Sequence, residues 1–323
     1  MNRSSGAQPI FVVGVERSGT TMLRLMLNEH PDIAIPRESW FLIDLMDSLP
    51  RSGPLNDRQR ERAIQLMVRH PRWRDMEIED RELAERVRNL SLPTLADVIE
   101  TVYRIQLLRV GKTRWGDKTP GYLLEIDRLR QVFPKAQFIH LMRDARDVSL
   151  SLWRKGWCGP HLRDAARHWA ENMRTGIEQG RRLPPGSYHE IRYEDLVREP
   201  DKALRGVCRF LEIEYAPQMM QFHRTAARNV APWQRMHHEK TLRPPQASDV
   251  QPWRRSASMF QLVLIEGLAG GSMELIGQKR HVRGWRAGFA RVAWVAEQLV
   301  YGALALRRRL MRGLHPDPRT AST

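Results

Sequence analysis

The segment from Gly14 to Thr21 has the composition of a phosphate-binding loop. It reads Gly-Val-Glu-Arg-Ser-Gly-Thr-Thr and lies between an apolar run and a segment with helical spacing, Met22 to Glu29. Main-chain N–H groups of a glycine-containing loop at a helix N-terminus bind phosphate oxygens, and the helix dipole strengthens the attraction. The residues that we expect to contact a bound nucleotide are Arg17, Ser18, Gly19, Thr20 and Thr21.

This segment departs from the triphosphate-binding P-loop at one position. Its glycines match the P-loop spacing, but Thr20 stands where that motif requires a lysine. Arg17 instead supplies a cation that can neutralise a 5′-phosphate without a metal. Two alternatives stay open, a P-loop kinase or NTPase and a tight strand-to-helix turn that binds no ligand.

Two further strand ends carry side chains suited to a nucleotide. Arg143 follows the apolar run Phe138 to Met142, and Ser151 lies eight residues on, about two helical turns along the next helix. Ligands of open α/β sheets collect at the C-terminal ends of strands, so this pair could bind a second phosphate. Tyr193 follows a third strand and could pack against a base. For Arg143 the alternative is a solvated ion pair with a neighbouring aspartate.

These loops require a parallel sheet with helices on its faces. Strand and helix patterns alternate along most of the chain. The predicted strands are Pro9–Gly14, Arg114–Asp117, Ala136–Met142 and Ser187–Arg192. Residues 57–110 are polar and rich in arginine, and their apolar positions recur at helical spacing. We therefore predict an α/β fold, a P-loop-like three-layer domain with a central parallel sheet, a helical insertion and a helical C-terminal extension.

The charge of the chain divides it into two units. The net charge is +16, and from Lys279 to the end ten Lys or Arg against two acidic residues give +8. We therefore predict an α/β domain over residues 1–278, with its insertion at 57–110, and a basic amphipathic extension over 279–323. A net charge of this sign favours polyanionic partners, so a non-enzymatic nucleic-acid-binding protein is a third alternative. The chain has no recognisable DNA-reading motif, and we expect no nucleic-acid partner.

The C-terminal extension has the pattern of an amphipathic basic helix. Between Phe289 and Leu310 apolar residues form a stripe, flanked near its end by the arginines at 307, 308, 309 and 312. Such a helix could lie on an anionic membrane, or it could pack on the domain or on a second subunit of a homodimer.

Location is predicted from what the sequence lacks. The two cysteines, Cys158 and Cys208, are too few for a disulfide framework, which indicates a reducing compartment. No secretory signal is recognisable at the N-terminus, and charged residues interrupt the most apolar stretch, Trp285 to Leu306. We expect a cytoplasmic protein, with peripheral membrane association if the basic helix binds lipid.

With these segments in order, the chain resembles the PAPS-dependent sulfotransferases, in particular the tyrosylprotein sulfotransferase-like and bacterial branches, from about Ile10 to Leu211. PAPS is 3′-phosphoadenosine-5′-phosphosulfate. The resemblance implies that the Arg-Ser-Gly-Thr-Thr loop binds the 5′-phosphosulfate, that Arg143 and Ser151 bind the 3′-phosphate, and that Tyr193 contacts the nucleotide. It also implies sulfuryl transfer from PAPS, without a metal, to a hydroxyl of a carbohydrate, lipid, small metabolite or tyrosine.

The catalytic residues also follow from the resemblance. The cytosolic branch has a histidine two residues after its active-site lysine, whereas this chain has Pro120 two residues after Lys118. In the tyrosylprotein branch the base is a glutamate 21 residues beyond the loop arginine, and Glu38 lies there. The resemblance therefore implies Glu38, Lys118 and Arg17 as catalytic residues. The alternatives are surface ion pairs, of Glu38 with its neighbouring arginine and of Lys118 with its neighbouring aspartate.

The late 3′-phosphate loop of the family is less distinct in this chain. Its glycine-rich form is absent, and residues 248–255, which include Arg254, occupy the comparable place.

Overall fold

The computed structural model describes residues 8–230 and 239–282. A parallel sheet of five strands, in the order β2-β3-β1-β4-β5, lies at the centre of this part of the chain. The strands are β1 (Ile10–Val13), β2 (Ile33–Ala34), β3 (Arg114–Asp117), β4 (Gln137–Met142) and β5 (Tyr188–Arg192). Between β3 and β4 the chain crosses from one side of β1 to the other. The C-terminal end of β1 is therefore the kind of switch point where α/β proteins bind ligands.

The four predicted strands are confirmed, with ends that move by no more than one residue. Strand β2 was not predicted; it has only two residues and pairs with the start of β3 through Ile33 and Ala34. So short a strand is formed by its partner and has no alternation of its own that a sequence could reveal.

Helices cover both faces of the sheet. The α-helices are α1 (Thr20–Asn28), α2 (Phe41–Ser48), α3 (Asp57–Arg69), α4 (Asp80–Arg88), α5 (Leu95–Val110), α6 (Ile126–Val132), α7 (Ala145–Lys155), α8 (Leu162–Arg181), α9 (Tyr193–Arg198), α10 (Pro200–Phe210), α11 (Ala226–Asn229), α12 (Trp253–Ser256) and α13 (Met259–Leu275). The 3-10 helices are Trp73–Met76, Pro120–Leu124, Pro217–Arg224, Glu239–Leu242 and Ala247–Asp249.

Strand β1 separates two apolar layers. All four of its residues are fully buried. Because successive side chains of a strand point to opposite faces, Phe11 and Val13 join one cluster, while Ile10 and Val12 join the other. The predicted three-layer α/β architecture is therefore confirmed.

Residues 57–110 are helical, as predicted, and contain α3, α4, α5 and one 3-10 helix without a strand. Capping boxes begin two of these helices, with Asn56 before α3 and Thr94 before α5. Apolar residues of the insertion, such as Met67 and Val102, pack in the same cluster as Phe11. The insertion is thus part of one core with the sheet.

The end of the described chain packs on α7 and α13. The carboxylate of Glu266 in α13 accepts hydrogen bonds from the main-chain N–H groups of His281 and Val282. The predicted amphipathic helix and its basic cluster lie outside the described residues. Among those that are described, no helix combines the length and apolar content needed to cross a bilayer. Cys158 and Cys208 are both free thiols.

Candidate active site

The predicted phosphate loop connects β1 to α1. Gly19 is the N-cap residue of α1 and has φ 96°, in the left-handed region that glycine tolerates best. A Cβ atom on Gly19 would lie 2.5 Å from the ring of Tyr193, so only glycine fits under that ring. Ser18 is fully buried, and its hydroxyl has no hydrogen-bond partner in the described chain. The loop therefore presents a buried hydroxyl whose hydrogen-bonding capacity is unused.

Arg17 connects the loop to α7. Its backbone has φ 71°, and its guanidinium Nε donates a hydrogen bond to the Ser151 hydroxyl at 3.0 Å. The carbonyl oxygen of Arg17 accepts a hydrogen bond from Arg143 Nη1, also at 3.0 Å. Burial and the nearby Arg143 guanidinium lower the pKa of Arg17. Three residues predicted from separate segments, Arg17, Arg143 and Ser151, therefore lie together.

Arg143 lies over the Tyr193 ring, with its guanidinium carbon 4.1 Å from the ring centroid. Its Nε is buried and has no hydrogen-bond partner in the described ranges. The Asp147 carboxylate lies 3.8 Å from Arg143 Nη2 and accepts a hydrogen bond from the main-chain N–H of Trp253 at 2.9 Å. Burial raises the pKa of Asp147 to about 6. Arg146, in contrast, forms buried ion pairs with Asp144 and Glu266.

The predicted late loop also approaches this region. Trp253 donates through its indole to Asp144 Oδ2 at 3.2 Å, and the carbonyl oxygen of Asp249 lies 3.5 Å from Arg143 Nη2. The guanidinium of Arg254 packs on the Trp253 ring and donates to Gln251. Segment 248–255 therefore borders the Arg143 site, as expected for its place in the sequence.

Lys118 and Glu38 form an ion pair beside the phosphate loop. Lys118 directly follows β3 and is 3% exposed, and Glu38 lies in the loop before α2 with its side chain 14% exposed. Lys118 Nζ also donates to the Thr21 hydroxyl at 3.2 Å. Neither predicted alternative pairing occurs, because Arg37 pairs with Glu77 and Asp117 accepts hydrogen bonds from Ser39 and Tyr103.

Electrostatics keep the Glu38 carboxylate ionised. Burial would raise the pKa of Glu38, but the Lys118 ammonium and the hydrogen bonds from Lys118 and Trp40 outweigh it, so the pKa is lowered. The pKa of Lys118 is also lowered, because it is buried and Arg24 lies nearby. An ionised carboxylate can accept a proton, and the neighbouring cations can stabilise developing negative charge.

Two side chains near Glu38 were not predicted from the sequence. The Trp40 indole donates a hydrogen bond to Glu38 Oε2 at 3.0 Å. Arg24, in α1, is buried and donates to the carbonyl oxygens of Pro36 and Asn229 at 3.2 and 2.7 Å. Arg24 lies in the helix that follows the phosphate loop. Nothing in a single sequence indicates that an arginine at that position is buried. Trp40 is only two residues from Glu38, and its hydrogen bond to the carboxylate depends on an unusual backbone angle.

The residues predicted for the site lie at the C-terminal ends of strands β1, β3, β4 and β5 or in the segment before α2, except Ser151, which lies in the second turn of α7. Within the same sheet, His140 of β4 is fully buried and hydrogen-bonds to Tyr188. In residues 8–230 and 239–282 no group of three or more His, Cys, Asp or Glu side chains could bind a metal ion.

Comparison with known proteins places this site in a family. Residues 9–217 match the sulfotransferase family profile. The nodulation protein NoeE of Sinorhizobium fredii is 26% identical over 230 residues, which cover 64% of this chain and 51% of that protein. Protein-tyrosine sulfotransferase 1 of Danio rerio is 27% identical over 223 residues, which cover 64% of this chain and 53% of that protein. The chain thus spans about half the length of these curated relatives.

The fold is also similar to that of a solved sulfotransferase domain. The sulfotransferase domain from the curacin biosynthetic pathway superposes with a TM-score of 0.59 and 20% identity, covering 85% of this chain and 99% of that domain. The family profile covers well over half of the 323 residues and includes every predicted site residue. The chain belongs to the sulfotransferase family.

Proposed function

We propose that this protein transfers a sulfuryl group from PAPS to a hydroxyl group of an acceptor. The observation that carries the proposal is the buried ion pair of Lys118 and Glu38 next to the phosphate loop. It combines a carboxylate that can take a proton with cations that face the place where a donor phosphate would bind. Family membership supports the same reaction.

The residues present fit a nucleotide with phosphate groups at two places. The buried Ser18 hydroxyl and the Arg143 Nε both have unused hydrogen-bonding capacity, and Arg143 Nη1 also donates to the carbonyl oxygen of Arg17, the residue before Ser18. Residues Arg17, Ser18, Gly19, Thr20 and Thr21 would bind the 5′-phosphosulfate. Arg143 and Ser151 would bind the 3′-phosphate, with Tyr193 against the nucleotide. PAPS, when bound, supplies an activated sulfuryl group.

Catalysis would depend on positioning and charge stabilisation. In-line transfer needs a nucleophile aligned with the group transferred, and the protein then stabilises the charge that develops. Glu38 would accept the proton of the acceptor hydroxyl. Lys118 and Arg17 would stabilise negative charge at the phosphate loop, where burial strengthens their electrostatic effect.

The acceptor is proposed only as a hydroxyl compound. The relatives include a protein-tyrosine sulfotransferase, whose name indicates a tyrosine acceptor, and a nodulation protein, whose name indicates none. A carbohydrate, a lipid, a small metabolite and a tyrosine therefore all stay candidates. The insertion at 57–110 and the segment at 232–252, of which residues 232–238 lie outside the described chain, are proposed to form the acceptor pocket.

Thermal unfolding in the presence of PAP, the desulfated product, tests the donor. We expect PAP to raise the unfolding temperature without magnesium, because a ligand that binds only the folded state stabilises it. ATP with magnesium is the control ligand. Stabilisation by ATP with magnesium and none by PAP would overturn the proposal in favour of a kinase or NTPase. Incubating the protein with radiolabelled PAPS and fractionated extracts would then identify the acceptor.

A further inference from the structure

The carboxylate of Glu38 has a donor on each of its oxygens. Lys118 Nζ donates to Oε1, and the Trp40 indole Nε1 donates to Oε2 at 3.0 Å. The Lys118 contact is an ion pair, whereas the indole is neutral and contributes direction without charge. Fixing both oxygens leaves the carboxylate with one orientation.

The backbone at Trp40 has an uncommon conformation. Trp40 is the residue before α2, with φ 59° and ψ −32°, and side chains other than glycine rarely adopt such angles. Residues in such angles cost free energy and persist when their surroundings fix them, often at functional sites. Here Ser39 is fixed on one side, because its N–H donates to Thr119 and its hydroxyl donates to Asp117. The turn that results directs the indole toward Glu38.

The position of the indole ring also depends on Gly121. A Cβ atom on Gly121 would lie 2.7 Å from Trp40 Cζ3 and 3.0 Å from Cη2. Gly121 lies in the 3-10 helix Pro120–Leu124, which follows β3 and Lys118. The ring therefore packs on the main chain of the same segment that carries the lysine of the ion pair. The same short segment therefore carries the ammonium of Lys118 and contacts the indole of Trp40.

We propose that Trp40 is the positioning residue for the general base of this enzyme, whose indole N–H orients the Glu38 carboxylate toward the acceptor hydroxyl. The inference rests on the proposed function. Charged groups that face Glu38 come from three elements: Lys118 after β3, Arg24 in α1 and Arg72 after α3. These cations keep Glu38 ionised at neutral pH even without the indole. Loss of the indole should therefore affect orientation first.

Trp40→Phe is the direct test, because phenylalanine keeps an aromatic ring over Gly121 and removes the N–H. We expect kcat to fall about tenfold, the size of a lost hydrogen bond to a charged group, while KM for PAPS stays unchanged. The acidic limb of the kcat–pH profile should move to higher pH, because the hydrogen bond favours the ionised form of Glu38. An unchanged kcat and an unchanged limb would overturn the inference.

Two further variants separate positioning from folding. Trp73→Phe is a matched control, since the Trp73 indole donates to the carboxylate of Asp80 at 2.7 Å. It should lower the unfolding temperature without moving the acidic limb. Gly121→Ala keeps the tryptophan at position 40 but displaces its ring. It should lower kcat and shift the acidic limb of the kcat–pH profile in the same direction as Trp40→Phe. A Gly121→Ala protein with the wild-type profile would contradict the proposal.

A nuclear magnetic resonance titration tests the contact independently of activity. In protein with ¹⁵N-labelled indoles, the Trp40 signal is the one lost in Trp40→Phe. It should shift as Glu38 titrates and stay constant over the same pH range in Glu38→Gln. A Trp40 signal that titrates equally in both proteins would refute the inference. A protein that keeps the titration but gains no thermal stability from PAP would refute the proposed function and uphold the Trp40–Glu38 contact.

Discussion

The surroundings of Glu38 keep its carboxylate ionised, as its proposed role as a base requires. Its carboxylate is mostly buried, pairs with Lys118 and accepts a hydrogen bond from Trp40. An ionised carboxylate can take the proton of an acceptor hydroxyl that lies against it. Glutamine has the same shape but cannot accept that proton.

Glu38→Gln should therefore reduce turnover by about a hundred- to ten-thousand-fold, the usual contribution of a general base. PAP should still raise the unfolding temperature of the variant, because the residues proposed to bind it are unchanged. Lys118→Ala should behave in the same way, with some additional loss of stability from the unpaired carboxylate. Initial rates with radiolabelled PAPS and thermal unfolding with PAP measure the two effects. Full activity in both variants would contradict the proposed roles.

Gly19 meets two requirements at once, a positive φ and contact with the Tyr193 ring. Gly19→Ala adds a Cβ atom 2.5 Å from that ring, so the ring or the loop must move. We expect lower stability and loss of the PAP-induced rise in unfolding temperature.

Gly111→Ala is the matched control for Gly19→Ala. Gly111 has φ 64°, and no atom lies within 4 Å of the position of an added Cβ. This variant should lose only about 1 kcal/mol, the cost of a left-handed backbone angle in alanine, and should keep the response to PAP. Equal responses to PAP in the two alanine variants would show that Gly19 has no special role in the loop.

Among the contacts between elements, Asp147 joins the start of α7 to the start of α12. Its side chain is 2% exposed, lies near Arg143 and accepts the main-chain N–H of Trp253. Burial, and the nearby acidic groups Asp144 and Glu194, raise its pKa to about 6 despite the Arg143 guanidinium. The folded protein therefore binds this proton more tightly than the unfolded chain, in which the pKa is about 3.9.

This difference predicts a pH dependence of stability. Between about pH 4 and pH 6 the folded state binds more protons than the unfolded state, so the contribution of Asp147 to stability falls as pH rises through this window. Asp147→Asn removes the titration and keeps an oxygen for the Trp253 N–H. Relative to wild type, the variant should gain stability from pH 4 to pH 7, by at most about 3 kcal/mol. Urea unfolding at both pH values measures this gain, and its absence would show that Asp147 does not titrate in this range.

The sequence could predict elements that carry their own pattern. The four longer strands, α1 and the helices of the insertion all follow from apolar periodicity and turn residues. Strand β2 has two residues and forms because β3 lies beside it, so no local pattern predicts it. The extent of α13, which continues to Leu275, also depends on packing against α8.

At the scale of the whole molecule, the site combines residues that are far apart in sequence. The sequence and its family resemblance named Glu38, Lys118, Arg17, Arg143 and Ser151 as separate candidates. Only the order of strands in the sheet brings the ends of β1, β3 and β4 together. The Trp40 contact could not be predicted, because it depends on a positive φ and on the space left by Gly121. Long-range packing and uncommon backbone angles are therefore the features that could not be predicted from the sequence.

The positive charge of the molecule is concentrated at its C-terminus. Half of the +16 charge belongs to residues 279–323, most of which lie outside the described chain, and four arginines cluster at 307, 308, 309 and 312. If this cluster contacts an anionic membrane, each arginine near the surface contributes about 1 kcal/mol. Replacing all four arginines by serine in the full chain should then reduce sedimentation with vesicles containing phosphatidylserine.

Vesicles of phosphatidylcholine alone are the control, because they lack the surface charge. The PAP-induced rise in unfolding temperature should stay the same, since no proposed PAP-binding residue changes. Equal sedimentation of the two proteins would refute the membrane contact and favour packing of the extension on the domain or on a second subunit, which the molecular mass in solution would distinguish.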